Sequence, residues 1–116
     1  MLDFGLRCKL LAKNVLKICR VIPNNVFLKE YISQLARSSS SVGANYIEAN
    51  EALSYKDCLY RLKIARKEAK ETLYWLEILE DFIDVNEKSK LTDEVVQILK
   101  ILSTMIKNKK NIPNEF

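Results

Sequence analysis

Apolar residues recur along most of this chain at alternating spacings of three and four, the period of one face of an α-helix. The pattern predicts four helices, near residues 6–21, 26–51, 55–84 and 92–109. Short connections make successive helices antiparallel neighbours. The sequence therefore predicts an all-α, up-down-up-down antiparallel four-helix bundle.

The predicted helix ends coincide with residues that favour breaks or caps. Pro23 disfavours helical geometry at the residue before it, so the first helix should end there. Ser54 can cap the third helix and Thr92 the fourth, which leaves residues 85–90 as a polar connection. The chain has only two Gly and two Pro, a composition that favours long helices.

The third predicted helix is apolar over more than half of its circumference. Eight core positions follow one another in unbroken 4, 3 alternation: Cys58, Leu62, Ala65, Ala69, Thr72, Leu76, Leu79 and Ile83. A second row lies beside them, here called the side row: Ile64, Glu68, Glu71, Trp75, Ile78 and Phe82. One bundle core uses only one of these rows, so this helix should have a second partner.

The second predicted helix carries a surface that could pack against the side row. Off its core face lies a polar stripe, composed of Arg37, Ser41, Asn45, Glu48 and Ala52. Packing of the polar stripe against the side row of another copy is a heterologous contact, which closes into a ring with cyclic symmetry. We therefore predict homo-oligomerisation through the following residues: Ser41, Asn45, Glu48, Ile64, Glu68, Glu71, Trp75, Ile78 and Phe82.

The middle of the second helix is rich in small residues, with serine at positions 38–41 followed by Gly43. Glycine costs about 1 kcal/mol relative to alanine inside a helix, so packing has to compensate. Small side chains let a neighbouring helix approach closely, and serine hydroxyls can bond back to the preceding turn. An anion cradle is the alternative, although the segment lacks the GxxxxGK[ST] spacing and the preceding strand of a phosphate-binding loop.

The charges are unevenly distributed along the chain, which carries 19 basic and 15 acidic residues and a net charge of +4. Residues 1–37 contain seven Lys or Arg and two acidic residues, residues 38–87 six and ten, and residues 88–116 six and three. A molecule with basic ends and an acidic middle can attract a polyanion or pair with itself.

One face of the first predicted helix is basic. The lysine stripe consists of Lys9, Lys13, Lys17 and Arg20, and it lies opposite the apolar positions Leu11, Val15, Ile18 and Ile22. Solvation is one role for such a face. The other is contact with the phosphates of RNA or DNA, which would not depend on base sequence. Stacking on bases should add little, because Trp75 and Tyr46 belong to apolar rows.

Catalytic and metal-site chemistry has little support in the sequence. The chain has no histidine, so a Ser or Cys nucleophile lacks its usual base, and the Glu-x-x-His pairs of a di-iron site cannot form. Glutamates of the side row and polar stripe should instead pair with Arg37, Arg66 or Lys67. We predict no enzyme activity, no catalytic residue, no metal and no cofactor.

The cysteines and the apolar runs indicate a soluble protein of the cytoplasm. Cys8, Cys19 and Cys58 form no CxxC motif and should be small buried hydrophobes in a reducing compartment. No apolar run approaches the roughly 20 residues that a membrane span requires, and the N-terminus is unlike a signal peptide. The sequence predicts one cytoplasmic domain over residues 1–110, a short mobile tail at 111–116, and no membrane partner.

The middle of the chain resembles the signature of a known family. Residues 34–79 read QLARSSSSVGANYIEANEALSYKDCLYRLKIARKEAKETLYWLEIL. This segment is similar to bacterial four-helix-bundle proteins that include the 23S rRNA intervening-sequence proteins. The matching positions are Gln34, Leu35, Arg37, Ser38, Ser41, Val42, Asn45, Glu48, Ala49, Ser54, Asp57, Ala65, Glu68–Glu71, Trp75 and Leu76.

The resemblance implies an up-down-up-down bundle that assembles as a ring-like homopentamer without enzymatic activity. A more distant similarity, to the accessory variability determinant of diversity-generating retroelements, implies binding of nucleic acid and of a reverse transcriptase. The expected partners are therefore other copies of the chain, RNA or DNA, and a reverse transcriptase or another protein for which this chain would be an adaptor. A purely structural or protein-interaction bundle is the alternative.

Overall fold

The computed structural model describes residues 3–110, apart from the side chain of residue 110. Four helices follow one another: α1 (Phe4–Cys19), α2 (Lys29–Asn50), α3 (Tyr55–Ile78) and α4 (Val85–Lys110). Each helix packs against the next, α1 also contacts α4, and the described residues contain no strand. The predicted all-α, up-down-up-down antiparallel bundle is confirmed. The predicted tail at 111–116 lies outside the described residues.

Side-chain hydrogen bonds fix where α1 and α3 begin and form the turn that precedes α2. The Asp3 carboxylate accepts a hydrogen bond from the backbone N–H of Leu6 at 3.1 Å, and α1 starts before the predicted residue 6. The Asn25 side chain accepts two backbone N–H groups at 2.9 and 3.1 Å, so a turn precedes α2 and delays its start. The Ser54 hydroxyl accepts the N–H of Asp57 at 3.0 Å, which confirms the predicted cap of α3.

The boundary between α3 and α4 differs from the prediction. α3 ends at Ile78, a 3-10 turn covers Glu80–Phe82, and α4 already begins at Val85. The Asp84 carboxylate accepts the backbone N–H of Glu87 at 3.1 Å and caps α4. The predicted continuation of α3 to residue 84, the polar connection at 85–90 and the cap at Thr92 are therefore wrong. Thr92 lies inside α4, and its buried hydroxyl has no hydrogen-bond partner among the described residues.

The buried core follows the apolar periodicity of the sequence. All eight predicted core positions of α3 and the turn after it are buried, as are the four apolar positions of the α1 segment. The α4 side of the core consists of Leu91, Val95, Ile98, Leu102 and Ile106. Burial of these side chains supplies the main driving force for packing the four helices together.

Small residues let the helices approach one another closely at the centre of α2. A Cβ atom added at Gly43 would lie 3.2 Å from the Cβ of Cys8, so the glycine makes room for α1. Ser38 is fully buried against α3, where its hydroxyl lies 2.9 Å from that of Thr72. The hydroxyls of Ser39 and Ser40 also donate to the Ala36 carbonyl oxygen of the preceding turn, at 3.1 and 2.8 Å. Close packing, the main interpretation of this small-residue segment, is confirmed.

Candidate nucleic-acid interface

The lysine stripe lies on the outer face of α1. All four of its side chains are exposed, whereas Leu11, Val15 and Ile18 on the opposite face are buried. Within residues 3–110, no carboxylate lies within 4.0 Å of any basic group of the stripe. The ion pair nearest along α1 joins Arg7 to Glu94 at 2.6 Å and stands apart from the stripe. The stripe therefore presents four positive charges that no ion pair neutralises.

Towards the C-terminal end of α1, the lysine stripe borders a groove of about 380 Å³. Lys17 lines it from α1, and Glu87 and Lys90 line it from α4. The second lysine prolongs the positive surface across the gap between the two helices, whereas the glutamate reduces it locally.

The polar stripe and the side row meet within one chain over part of their length. The Arg37 guanidinium donates to the Glu68 carboxylate at 2.7 Å and to the Glu71 carboxylate at 3.4 Å. Asn45 accepts a hydrogen bond from Arg61 at 3.3 Å, and its own amide donates to the Ser41 carbonyl at 2.9 Å. The predicted pairing of a side-row glutamate with Arg37 is confirmed. The pairing occupies polar groups that were also predicted to face a second copy.

The two glutamates of this cluster behave differently. Glu68 is only 7% exposed, and burial opposes its ionisation, but hydrogen bonds from Glu71 and Arg37 outweigh burial and lower its pKa. The hydrogen bond to Glu68 raises the pKa of Glu71. The two pKa values shift in opposite directions because the carboxylates repel each other and share one cation. The carboxylate nearer the arginine stays ionised, and its charge makes ionisation of the other less favourable.

The rest of the predicted oligomer interface lies along α3, in the turn that follows it and on α2. Ile64 and Trp75 are half-buried, whereas Ile78 and Phe82 are each 44% exposed. Phe82 belongs to the 3-10 turn and not to α3. The indole Nε1 of Trp75 is buried without a hydrogen-bond partner among the described residues. Glu48 is exposed on α2, away from the ion pairs of Arg37.

A second basic surface, which the apolar pattern did not reveal, lies on the outward face of α3. We call it the outer row; its members alternate at spacings of three and four: Tyr60, Lys63, Lys67, Lys70 and Tyr74. All five are exposed, the tyrosines by 59% and 56%. In the described part of the chain, no carboxylate lies within 4.0 Å of the three ammonium groups. The sequence contains a signal for this surface, because the five positions repeat with the period of one helix face.

The C-terminal half of the outer row borders a shallow depression of about 600 Å³. Lys67, Lys70 and Tyr74 line it, and Arg66 adds a further positive charge. The rings of Tyr74 and Trp75 lie edge to face, with centroids 4.9 Å apart and planes at 73°. Glu71 and Trp75 of the side row also line it, so the depression is mostly basic, with one acidic group and an exposed aromatic ring at one end.

The structure offers little for metal or thiol chemistry. No cluster of three or more His, Cys, Asp or Glu side chains in residues 3–110 could hold a metal ion. The three cysteines are free thiols, and burial raises the pKa of Cys8 to about 12. A thiol of that pKa stays protonated near neutral pH and is a poor nucleophile. None of the described helices is long and apolar enough to cross a membrane.

Comparison with known proteins identifies a family and similar solved structures. Residues 2–104 match the family described as 23S rRNA-intervening sequence protein. The fold is similar to the crystal structure of a protein with unknown function from the S23 ribosomal protein family of Bacteroides thetaiotaomicron, with a TM-score of 0.80 and 29% identity. The similarity covers 90% of this chain and 99% of that one. No curated protein matches the chain.

Proposed function

The chain belongs to the 23S rRNA-intervening sequence protein family, and from that premise we propose that it is a non-enzymatic, homo-oligomeric protein that binds RNA or DNA. The observation that carries the proposal is the lysine stripe, four exposed cations without a carboxylate partner in residues 3–110. Charges of one sign that stay unpaired on a helix face raise the local concentration of a polyanion.

Binding through the lysine stripe would not depend on base sequence. Lysine ammonium groups contact phosphates as point charges, and phosphate contacts position a nucleic acid without reading its bases. The affinity should fall by roughly 0.7 to 0.9 log units per phosphate contact for each tenfold rise in salt concentration. In a ring of five copies, a net charge of +4 per chain would become roughly +20.

Oligomerisation is part of the same proposal, and the exposed end of the side row supports it. Ile78 and Phe82, each 44% exposed, leave apolar area in water. Arg37 already covers the middle of the row, so the C-terminal end is the part free to contact another copy. The number five rests on the family resemblance. A monomer in light scattering at micromolar concentration would refute this part, and Trp75→Asp should weaken a true interface.

The decisive experiment compares two triple variants with the same change in net charge. Lys9, Lys13 and Lys17 are changed to Glu in one variant. The control changes Lys29, Lys100 and Lys107, which are exposed, lie on other helices and have no ion pair in residues 3–110. RNA and DNA oligonucleotides are titrated at low and moderate salt. The stripe variant should bind more weakly and with a smaller salt slope than the control.

A role as a protein-interaction bundle or an adaptor is the second candidate, and a different observation favours it. Val21, Val26, Phe27 and Val85 are strongly exposed, and the connections that carry them lie at the same end of the bundle. Exposed apolar side chains gathered at one place mark surfaces for other proteins. If wild-type protein binds neither nucleic acid at low salt, this second function is favoured over nucleic-acid binding. If both triple variants bind like wild type, the lysine stripe is only a solvated face.

A further inference from the structure

We propose that the outer row of α3 binds single-stranded nucleic acid, with its lysines on the phosphates and its tyrosines stacked on bases. The inference rests on the proposed nucleic-acid function and narrows it to one form of nucleic acid at a second surface. Unlike the lysine stripe, the outer row combines cations with exposed aromatic rings. That combination is the one that proteins use to bind single strands without sequence preference.

The spacing of the outer row suits an extended strand. At 1.5 Å per residue, Lys63 and Lys70 lie about 10 Å apart along the helix axis, and Tyr60 and Tyr74 about 21 Å apart. The three lysines thus occupy the centre of the row and each tyrosine flanks them at one end. A strand that follows the helix could place phosphates on the ammonium groups and a base on each ring.

The exposed tyrosines are the reason why the outer row should bind a single strand more tightly than a duplex. In a duplex the faces of the bases are covered by their stacked neighbours, whereas an unpaired strand can offer those faces to an aromatic ring. Tyr60 and Tyr74 leave more than half of their surface in water, at 59% and 56%. Lysines alone would hold either form, so only the rings distinguish a single strand from a duplex.

The ring of Tyr74 is held in place by its neighbours. Its edge-to-face contact with Trp75 is followed by a second aromatic contact, in which the centroids of Trp75 and Tyr31 lie 6.0 Å apart. These contacts restrict the rotamers of Tyr74 before any ligand arrives, and restriction in advance lowers the entropic cost of binding. The depression beside this ring then provides room for a base next to Lys70.

The outer row can be tested separately from the lysine stripe. α1 and α3 each pack against α2 and α4, so they lie diagonally across the bundle and their outward faces point to opposite sides. Changes on one surface therefore leave the geometry of the other intact. Leucine at the two exposed tyrosine positions keeps an apolar side chain with high helix propensity and removes only the aromatic ring.

The test measures the affinities of an unstructured RNA of about 12 nucleotides and of a duplex of the same length, by fluorescence anisotropy at low salt. The variants are Tyr60→Leu/Tyr74→Leu and, as the matched control, Tyr60→Phe/Tyr74→Phe. Loss of each ring should weaken single-strand binding about fivefold or more. Duplex binding should not change, and the phenylalanine variant should bind both ligands as the wild type does. Circular dichroism and light scattering establish that fold and assembly are the same in all three proteins.

A spectroscopic signal gives a second measurement. Trp75 is the only tryptophan of the chain and contacts Tyr74. Addition of the single strand should change its fluorescence in wild-type protein and not in Tyr74→Leu. If the wild type binds single strands but the leucine variant binds them equally well, this inference is overturned while the proposed function stands. If the wild type binds neither ligand at low salt, the proposed function itself is refuted.

Discussion

Removal of the Arg37 guanidinium should destabilise the protein more than its exposed position suggests. The side chain of Arg37 is 50% exposed, but that of its partner Glu68 is only 9% exposed. Arg37→Met would leave a buried carboxylate beside Glu71 with no cation in contact. Loss of one partner of a fully buried pair costs about 3–5 kcal/mol. Because water can reach this pair from the arginine side, we expect about 2 kcal/mol at neutral pH.

The pH dependence of this loss provides the sharper measurement. In the wild type, the lowered pKa of Glu68 contributes stability above the unfolded-state pKa of about 4.3, and this stability disappears as the pH falls through the lower folded-state pKa. In Arg37→Met, the folded-state pKa of Glu68 should rise above its unfolded value. Protonation would then stabilise the folded variant as the pH falls. The difference between the two proteins should therefore shrink from pH 7 towards about pH 4.

Urea or thermal unfolding followed by circular dichroism measures this difference at a fixed protein concentration. For a chain of this size, about 2 kcal/mol corresponds to a fall of roughly 8 °C in Tm. Arg66→Met is the matched control, since Arg66 has no ion pair in residues 3–110. The double variant Arg37→Met/Glu68→Leu should recover much of the stability, because an apolar pair no longer contains a buried charge. A loss in Arg37→Met that equals the control, or that grows as the pH falls, would refute this reasoning.

Three further predictions follow from the helix ends and the packing of α1. Asp84→Ala should lower the free energy of unfolding by about 1 kcal/mol, because α4 loses its cap. Thr92→Val should be neutral or stabilising in the same denaturation assay, since its buried hydroxyl has no partner in residues 3–110. A larger loss of stability in Thr92→Val than in Asp84→Ala would identify Thr92 as the cap. Gly43→Val should cost about 1–3 kcal/mol, because its side chain would press on Cys8, and equal stability would mean that the helices separate freely. The Cys8 thiol should resist alkylation near neutral pH until urea unfolds the chain, and rapid labelling of the native protein would contradict its burial.

The periodicity of apolar residues is enough to predict the fold and most of the core. The core positions of α3 are buried because their 4, 3 repeat places them on one face of the helix, which packs against the rest of the bundle. The end of α3 could not be predicted in the same way, since the repeat continues through Leu79 and Ile83 across a turn without glycine or proline. Asp84 caps the next helix and so sets its start. Several other acidic residues lie nearby in the sequence, so the sequence alone does not show which of them is the cap.

The candidate site was predicted only in part, for two physical reasons. A helical pattern shows which residues share a face, but it does not show which neighbour covers that face. The polar stripe could therefore be assigned to a second copy although Arg37 contacts Glu68 of its own chain. Apolar periodicity also does not reveal a helix face whose repeat is polar. The outer row is such a face, and the exposure of Tyr60 and Tyr74 in the structure identifies it.

The buried hydroxyl pair between α2 and α3 has a consequence for how the two helices can slide. Thr72 donates to the Glu68 carbonyl at 2.9 Å, which leaves its oxygen to accept the proton of Ser38. A slip of one helical turn, about 5.4 Å, in either direction would separate the two hydroxyls. The hydrogen bond between the two hydroxyls would then be lost, at a net cost of about 0.5–1.5 kcal/mol. Smooth apolar surfaces alone would tolerate several registers, whereas this hydroxyl pair favours one of them.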